Sequence, residues 1–322
     1  MGFCKICDIR DWQDEEFLSI LDELQLSFGR ERQHRKHWEF GWAIKGLRAL
    51  GCLTPDAMAL GVGAGHEHPM YYLANVIQKV HATDIYGTGD FVETDSSANM
   101  LIHPEKYAPF PYREDHLVTQ YMDGCDLKYP DAVFDIVFSF SSIEHFGGHK
   151  AASRSMKEMA RVLKPGGVLA LTTELVLNNL SHSEFFLADE VQSFLVKPSG
   201  LQLLEDIDFT ISPSLMNDPV DLATEHLTKF PNIVCKVGNH LFTSVLLFLR
   251  KPALDAAKVN VREMPGRINL GEPVPEQLQE LQRAVAEKDA EIARLRAQVA
   301  AYENGRFIRF MRALSGLWRR SA

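Results

Sequence analysis

The sequence predicts an α/β fold with an open, mostly parallel sheet, and three stretches carry that expectation. In the first, Met58 to Gly65 (MALGVGAG), an apolar run enters a Gly-x-Gly-x-Gly turn at Gly61, Gly63 and Gly65. The chain then passes through a helix reaching Asn75 to Lys79 and into a second strand that ends at Asp84. In the second, Phe134 to Ser141 (FDIVFSFS), most residues are apolar and they alternate poorly with polar ones, as in a parallel strand buried on both faces. In the third, a helix from Lys150 to Leu163 closes on Lys164-Pro165-Gly166-Gly167, a cationic last turn followed by a Pro-Gly stop, before a strand from Val168 to Thr173. Strands alternating with helices build a parallel sheet.

Taken in order, residues 1–33 form a helical segment in which Phe17, Leu18, Leu21, Leu24 and Leu26 recur at helical spacing. In HRKHWEFGWAIKGLRALGCL, Trp38, Trp42, Ile44, Leu47 and Leu50 mark an amphipathic helix that stops near Gly51. His34, Arg35 and His37 at its start read as solvated positions, with a substrate role as the alternative. The turn that follows the first strand departs from the dinucleotide fingerprint, because the sixth place holds His66 where Gly-x-Gly-x-x-Gly requires glycine. Its glycines still let backbone N–H groups approach a ligand, and Asp84 can accept ribose hydroxyls, although a glycine-rich turn can also be merely tight.

Gly87 to Thr119 is an insertion long enough to cover a site or to lack fixed structure. Phe91, Tyr107, Phe110 and Tyr112 supply anchors that favour an ordered cover and acceptor contacts. A helix from Ala188 to Leu195, a strand from Leu201 to Phe209, and a hairpin of Ile233–Val237 and Leu241–Leu249 turned at Gly238-Asn239 complete the region 34–252. A proline-containing linker spans 253–275. Leu278, Leu281, Val285, Ile292, Leu295, Val299 and Tyr302 then recur at intervals of three and four, which predicts a parallel two-stranded coiled coil over 276–303 and hence a homodimer. A single solvated helix is the alternative, since Lys288 breaks the seam.

The glycine turn with Asp84, the stretch YMDGCDLKYPDAVFDIVFSFSSIEHFGG and the stretch EMARVLKPGGVLALTTEL, in this order, resemble the class I S-adenosylmethionine-dependent methyltransferases over roughly residues 38–251. The resemblance implies a Rossmann-like sheet of seven strands with an antiparallel last strand, and S-adenosyl-L-methionine as cofactor. It places Gly61, Gly63 and Gly65 against the cofactor, Asp84 on the ribose with Ile85 beside it, Asp123 and Gly124 at the adenine end, and Ser141 in the cleft. One position departs from the pattern: Ala59 stands where the family has an acid that helps hold the methionine ammonium. Glu67 is the candidate replacement, or simply an acid stabilising a helix N-terminus.

Methyl transfer from a sulfonium is an in-line displacement that depends mostly on positioning. For a hydroxyl acceptor, His145 is the candidate general base, with Glu144 orienting it or acting itself. His145 could equally cap the strand end, or join His66, His149 and Glu144 around a divalent ion. A domain of this kind followed by a coiled coil and ENGRFIRFMRALSGLWRR resembles O-antigen-type methyltransferases of bacterial surface-polysaccharide assembly, which implies a glycan hydroxyl as acceptor. A small-molecule or quinone-type acceptor and a catalytically idle scaffold are the alternatives.

Composition narrows the partners. The chain is 46% hydrophobic and 24% charged, as a globular protein should be. Its net charge is −9, and subtracting the five arginines of residues 306–322 leaves −14 on the rest, so nucleic acid is not expected as a partner. Within that tail Phe307, Phe310, Met311, Leu314, Leu317 and Trp318 fall opposite the arginines, a pattern suited to lying on an anionic membrane surface or to packing back on the domain. No apolar run reaches the ~18 residues of a spanning helix, and no signal peptide is evident, so a cytoplasmic location is expected, possible at the inner membrane face. Five cysteines, with one lone C-x-x-C at Cys4 and Cys7, read as reduced thiols near a loose terminus; a zinc site there would need two further ligands.

Overall fold

A computed structural model describes residues 2–253 apart from 90, 92, 93 and 227. The expected linker, coiled coil and basic tail over 254–322 lie outside the described residues. In chain order the strands of the sheet and the longer helices among the described residues are β1 (Lys5–Ile6), α1 (Glu15–Glu23), α2 (Arg35–Ala49), β2 (Met58–Val62), α3 (His68–Val76), β3 (Lys79–Asp84) and β4 (Leu117–Tyr121). Then come β5 (Phe134–Phe140), α4 (His149–Val162), β6 (Leu163–Val176), β7 (Gln202–Leu203), β8 (Val220–Asp221), β9 (Cys235–Val237) and β10 (His240–Arg250).

The sheet runs β4-β3-β2-β5-β6-β10-β9-β8, with β1 and β7 also paired to β10. Strands β2 to β6 are parallel to their neighbours and β10 is antiparallel to β6, from Phe242↔Val176 to Arg250↔Val168. This is the Rossmann-like sheet that the sequence implies, enlarged by short strands. The chain winds from β2 out to β4, returns to β5 beside β2, and continues the other way to β6. Right-handed crossovers then place α3 and α4 on opposite faces, so a crevice opens beyond the tips of β2 and β5.

Residues 1–33 are not loose. Lys5 and Ile6 pair with Leu246 and Val245, Asp208 N donates to Cys4 O, and Cys4 and Cys7 are fully buried thiols. Helix α1 packs on α2 at Gly41, where a Cβ would stand 2.6 Å from the Phe17 ring. Helix α2 in turn meets β10 at Gly46, where a Cβ would stand 2.2 Å from the Phe248 ring. These two close approaches lay α2 on the antiparallel half of the sheet and carry its first turn to the strand tips.

Several expected boundaries move. The helix after the glycine turn is α3, earlier than Asn75 to Lys79, because Pro69 starts it and Lys79 already belongs to β3. Lys164-Pro165-Gly166-Gly167 does end α4, yet the stretch is drawn into the start of β6. The register skips between Phe134 and Ile136, with Gly166 N bonded to Lys251 O and Lys251 N to Gly167 O. From Leu201 to Phe209 only Gln202–Leu203 pairs as strand. In the insertion, Met100 is the fully buried anchor, Tyr71 donates to Pro104 O at 2.9 Å, and Tyr107, Phe110 and Tyr112 pack against the core, whereas Phe91 is 42% exposed. No described helix is long and apolar enough to cross a membrane.

Candidate active site

The glycine turn is built by close approach as much as by backbone freedom. A Cβ on Gly61 would stand 2.6 Å from the Phe138 ring of β5. Gly65, at φ +47°, would bring one to 2.9 Å from Asp95 O of the insertion. Asp84, at the tip of β3, holds this arrangement: Oδ2 accepts Gly65 N at 2.9 Å, and Oδ1 accepts Ile85 N at 2.7 Å and the Ser96 hydroxyl at 2.6 Å. A carboxylate offers about four acceptor directions, so one remains, on Oδ2, for a ligand hydroxyl. Beyond β4, Asp123 Oδ1 accepts Cys125 N at 2.8 Å, and Gly124 leaves no space for a side chain against Phe146 and Val62. Ile85 lies 37% exposed beside Asp84. A glycine-lined slot with carboxylates at the tips of β3 and β4 fits the nucleoside end of S-adenosylmethionine. Asp84→Ala is expected to weaken binding of the demethylated cofactor by about 1.5 to 3 kcal/mol, measured by calorimetry, because the turn and a ligand hydroxyl both lose their acceptor.

A charged cluster stands next to this slot, and sequence reading missed most of it. Arg35 is not solvated: its side chain is 14% exposed, and NH1 reaches Glu174 at 2.6 Å, Ser244 at 3.1 Å and Glu39 at 3.4 Å. Lys36 Nζ donates to Phe140 O at 2.8 Å, to Glu67 at 3.2 Å and to Glu39 at 3.3 Å. Glu39, fully buried, also accepts from Thr172 at 3.0 Å and Ser244 at 2.5 Å. Burial opposes its charge, but Lys36 and Arg35 outweigh that and hold its pKa below the ordinary value. One ammonium cannot also neutralise Glu67, and burial pushes that carboxyl up to about 8. His34 and His37 are half-buried rather than solvated, and burial lowers them to about 3 and about 4.

Glu144 faces this interior. It is fully buried, with Oε2 accepting the Thr173 hydroxyl at 2.9 Å and Oε1 without a partner. Burial and the nearby Glu174 raise its pKa to about 8, and its Oε2 is turned to Thr173, while the carboxylate within reach of His145 is that of Glu184. The folded state then keeps a proton that the unfolded chain releases above its ordinary pKa of 4.5, so Glu144 lowers stability progressively as pH rises from about 4.5 to about 8. The stability of Glu144→Gln relative to the wild type is therefore expected to improve by on the order of a few kcal/mol between pH 5 and pH 8, read from urea midpoints.

The group beside His145 is Glu184, from the loop after β6, which the sequence did not suggest. Its Oε2 lies 3.4 Å from His145 Nδ1, and the Phe91 ring of the insertion lies 4.9 Å from the imidazole on another side. Burial lowers the His145 pKa and Glu184 opposes that shift, so the imidazole is neutral near pH 7. Ser141, at φ +46°, turns the chain out of β5 with its hydroxyl buried on the side of Glu39. The four groups considered for a metal are dispersed: His149 Nε2 is on Phe185 O and its ring on Phe186, His66 is on Asp95 O and the Tyr107 ring, and Glu144 points inward.

A family model described as a methyltransferase domain matches residues 60–171. The 27-O-demethylrifamycin SV methyltransferase of Amycolatopsis mediterranei is 43% identical over 49% of this chain and 55% of its own length. The glycine/sarcosine/dimethylglycine N-methyltransferase of Actinopolyspora halophila is 30% identical over 41% of this chain and 21% of its own. The chain thus spans about half or less of the curated relatives it matches. Among solved structures, phosphoethanolamine N-methyltransferase 2 of Haemonchus contortus with S-adenosyl-L-methionine aligns at TM-score 0.43 and 17% identity, over 73% of this chain and 60% of that one. The glycine slot and the sheet order thus lie in a chain whose residues 60–171 match a methyltransferase domain, for which S-adenosylmethionine is the cofactor indicated.

Proposed function

We propose that the protein transfers a methyl group from S-adenosylmethionine to a heteroatom, foremost a hydroxyl oxygen, of a small organic acceptor. When bound, the cofactor supplies a methyl group on a sulfonium, and the S–CH₃ bond breaks as the acceptor–CH₃ bond forms. The chain's own part is to hold the acceptor in line, exclude water and take the proton that the acceptor loses. With Nδ1 turned to Glu184, His145 has Nε2 available for that proton. The observation that carries the reading is the imidazole of His145 just after β5, with Glu184 Oε2 3.4 Å from Nδ1 and the Phe91 ring centroid 4.9 Å away.

The acceptor class is supported by relatives whose names state small-molecule acceptors, a demethylrifamycin in one case and glycine derivatives in the other. The glycan acceptor, the homodimer and the membrane contact expected from residues 276–322 rest on a segment outside the described residues, so this reading does not use them. The test is transfer of isotopic methyl from the cofactor into two fractions, small molecules and polysaccharide. Label in small-molecule products is expected. Label confined to polymer would restore the glycan acceptor, and cofactor binding without transfer to either would favour the idle scaffold.

A further inference from the structure

The loop after β6 that carries Glu184 is pinned at both ends by its backbone: Leu177 N donates to Leu241 O at 2.7 Å, and Phe186 N to Glu174 O at 3.0 Å. Between those pins three imidazoles hold the stretch Ser181 to Phe185. A carbonyl only accepts, so two of the rings donate: His240, at the start of β10, gives Nε2–H to Ser181 O at 3.0 Å, and His149, at the start of α4, gives Nε2–H to Phe185 O at 3.1 Å. The third ring does the opposite. His182 Nδ1 accepts Glu184 N at 3.2 Å and Phe185 N at 3.0 Å. That nitrogen must offer its lone pair, which puts the ring proton on Nε2. N–H groups two and three residues on are those an Asn or Asp side-chain oxygen takes in a turn, and Nδ1 stands as many bonds from the backbone as that oxygen does. A protonated His149 or His240 would still donate to its carbonyl, whereas a protonated His182 would turn a hydrogen onto two others. The His182 ring is half-buried, stacked 4.1 Å from the Phe185 ring and edge-on 4.7 Å from that of His240. Burial and His240 disfavour its charge, Glu184 favours it and His149 opposes it, with a net lowering of its pKa.

We propose that His182 is a positioning residue of this site: by accepting the Glu184 and Phe185 backbone it braces the loop so that Glu184 Oε2 stays 3.4 Å from His145 Nδ1. The role rests on the reading of His145 as the base. His182 acts through Glu184 and carries no proton in the transfer itself. When acid protonates His182, the two N–H groups lose their acceptor and the loop is released. Falling pH therefore takes the carboxylate from beside His145 while it also protonates the base.

Histidine titration by NMR on the full chain tests this, with His145→Ala assigning the His145 signal. In the wild type the ring nitrogen shifts are expected to place the His182 proton on Nε2 at pH 7; a proton on Nδ1 overturns the proposal. Glu184→Gln is expected to lower the His145 pKa by about 0.5 to 1, since a partly exposed opposite charge is worth less than a buried one. His182→Ala is expected to lower it by a similar amount and to cut kcat about 10-fold with KM little changed. His182→Asn keeps an acceptor for both N–H groups but not the stacked ring, and is expected to restore both. In His182→Ala/Glu184→Gln the His145 pKa should fall no further than in Glu184→Gln alone. A wild-type His145 titration in His182→Ala, a loss in His182→Asn equal to that in His182→Ala, or a further fall in the double variant overturns the brace. None of the titrations needs turnover: a wild type that transfers no methyl group removes the proposed function, while the brace stands or falls on the His145 pKa.

Discussion

Replacing His145 with alanine is expected to leave affinity for S-adenosylhomocysteine unchanged and to cut turnover by about 10² to 10⁴, the usual worth of a positioned base. The expectation follows from where the ring sits. Nδ1 is turned to Glu184 at 3.4 Å, Phe91 packs on the ring, and no strand or cofactor-turn atom depends on it for a hydrogen bond beyond its own backbone N, which bonds to Ser142 O. Burial holds the imidazole neutral at a pH where the free side chain would begin to protonate. Turnover should therefore rise with pH through a value below 6.5, the ordinary histidine value. Because Glu184 is what raises the His145 pKa against burial, Glu184→Gln is expected to move that acid limb to lower pH while costing less turnover than His145→Ala. A pH–rate profile of the three proteins checks both statements. Intact turnover in His145→Ala would remove the base assignment.

Glu39→Ala is expected to destabilise the domain by about 3 to 5 kcal/mol, the usual cost of breaking a buried charge network from one side. Its carboxylate is fully buried and accepts from Lys36, Arg35, Ser244 and Thr172. Removing it leaves two cations with Glu174 and Glu67 alone, and two hydroxyls without an acceptor. Glu39→Gln keeps the shape and part of the hydrogen bonding, so a smaller loss is expected. Urea unfolding of the wild type and both variants measures this. A loss below about 1 kcal/mol in Glu39→Ala would show that the cluster is not structural.

The parallel half of the fold was legible because its signals are local. The apolar run at Phe134 to Ser141, the glycine turn and Asp84 each encode their own structure within a few residues. The proposed nucleoside slot is made of these same residues. The charged cluster was not legible, since Arg35, Lys36 and Glu39 look like the polar face of an amphipathic helix until α2 is known to lie over the strand tips. That placement depends on Gly41 and Gly46, whose missing side chains admit Phe17 and Phe248 from distant elements. The same holds for Glu184: its approach to His145 is made by a loop 39 residues further along, and no spacing rule links the two. The N-terminal residues read as loose because a two-residue strand such as β1 carries no periodicity, and its pairing partner, β10, lies at the other end of the domain. Glu144 read as a partner of His145 through adjacency alone, whereas Ile143–His145 is a 3-10 turn that buries Glu144 and leaves His145 at the surface.

The central claim is that the slot formed by Gly61, Gly63, Gly65, Asp84 and Asp123 holds S-adenosylmethionine. Calorimetric titration of the wild-type chain with S-adenosylhomocysteine tests it most directly. Saturable binding near one ligand per chain, lost or weakened in Asp84→Ala by about 1.5 to 3 kcal/mol, is the predicted result. No heat of binding to wild type, in protein shown to be folded by cooperative urea unfolding, would contradict it.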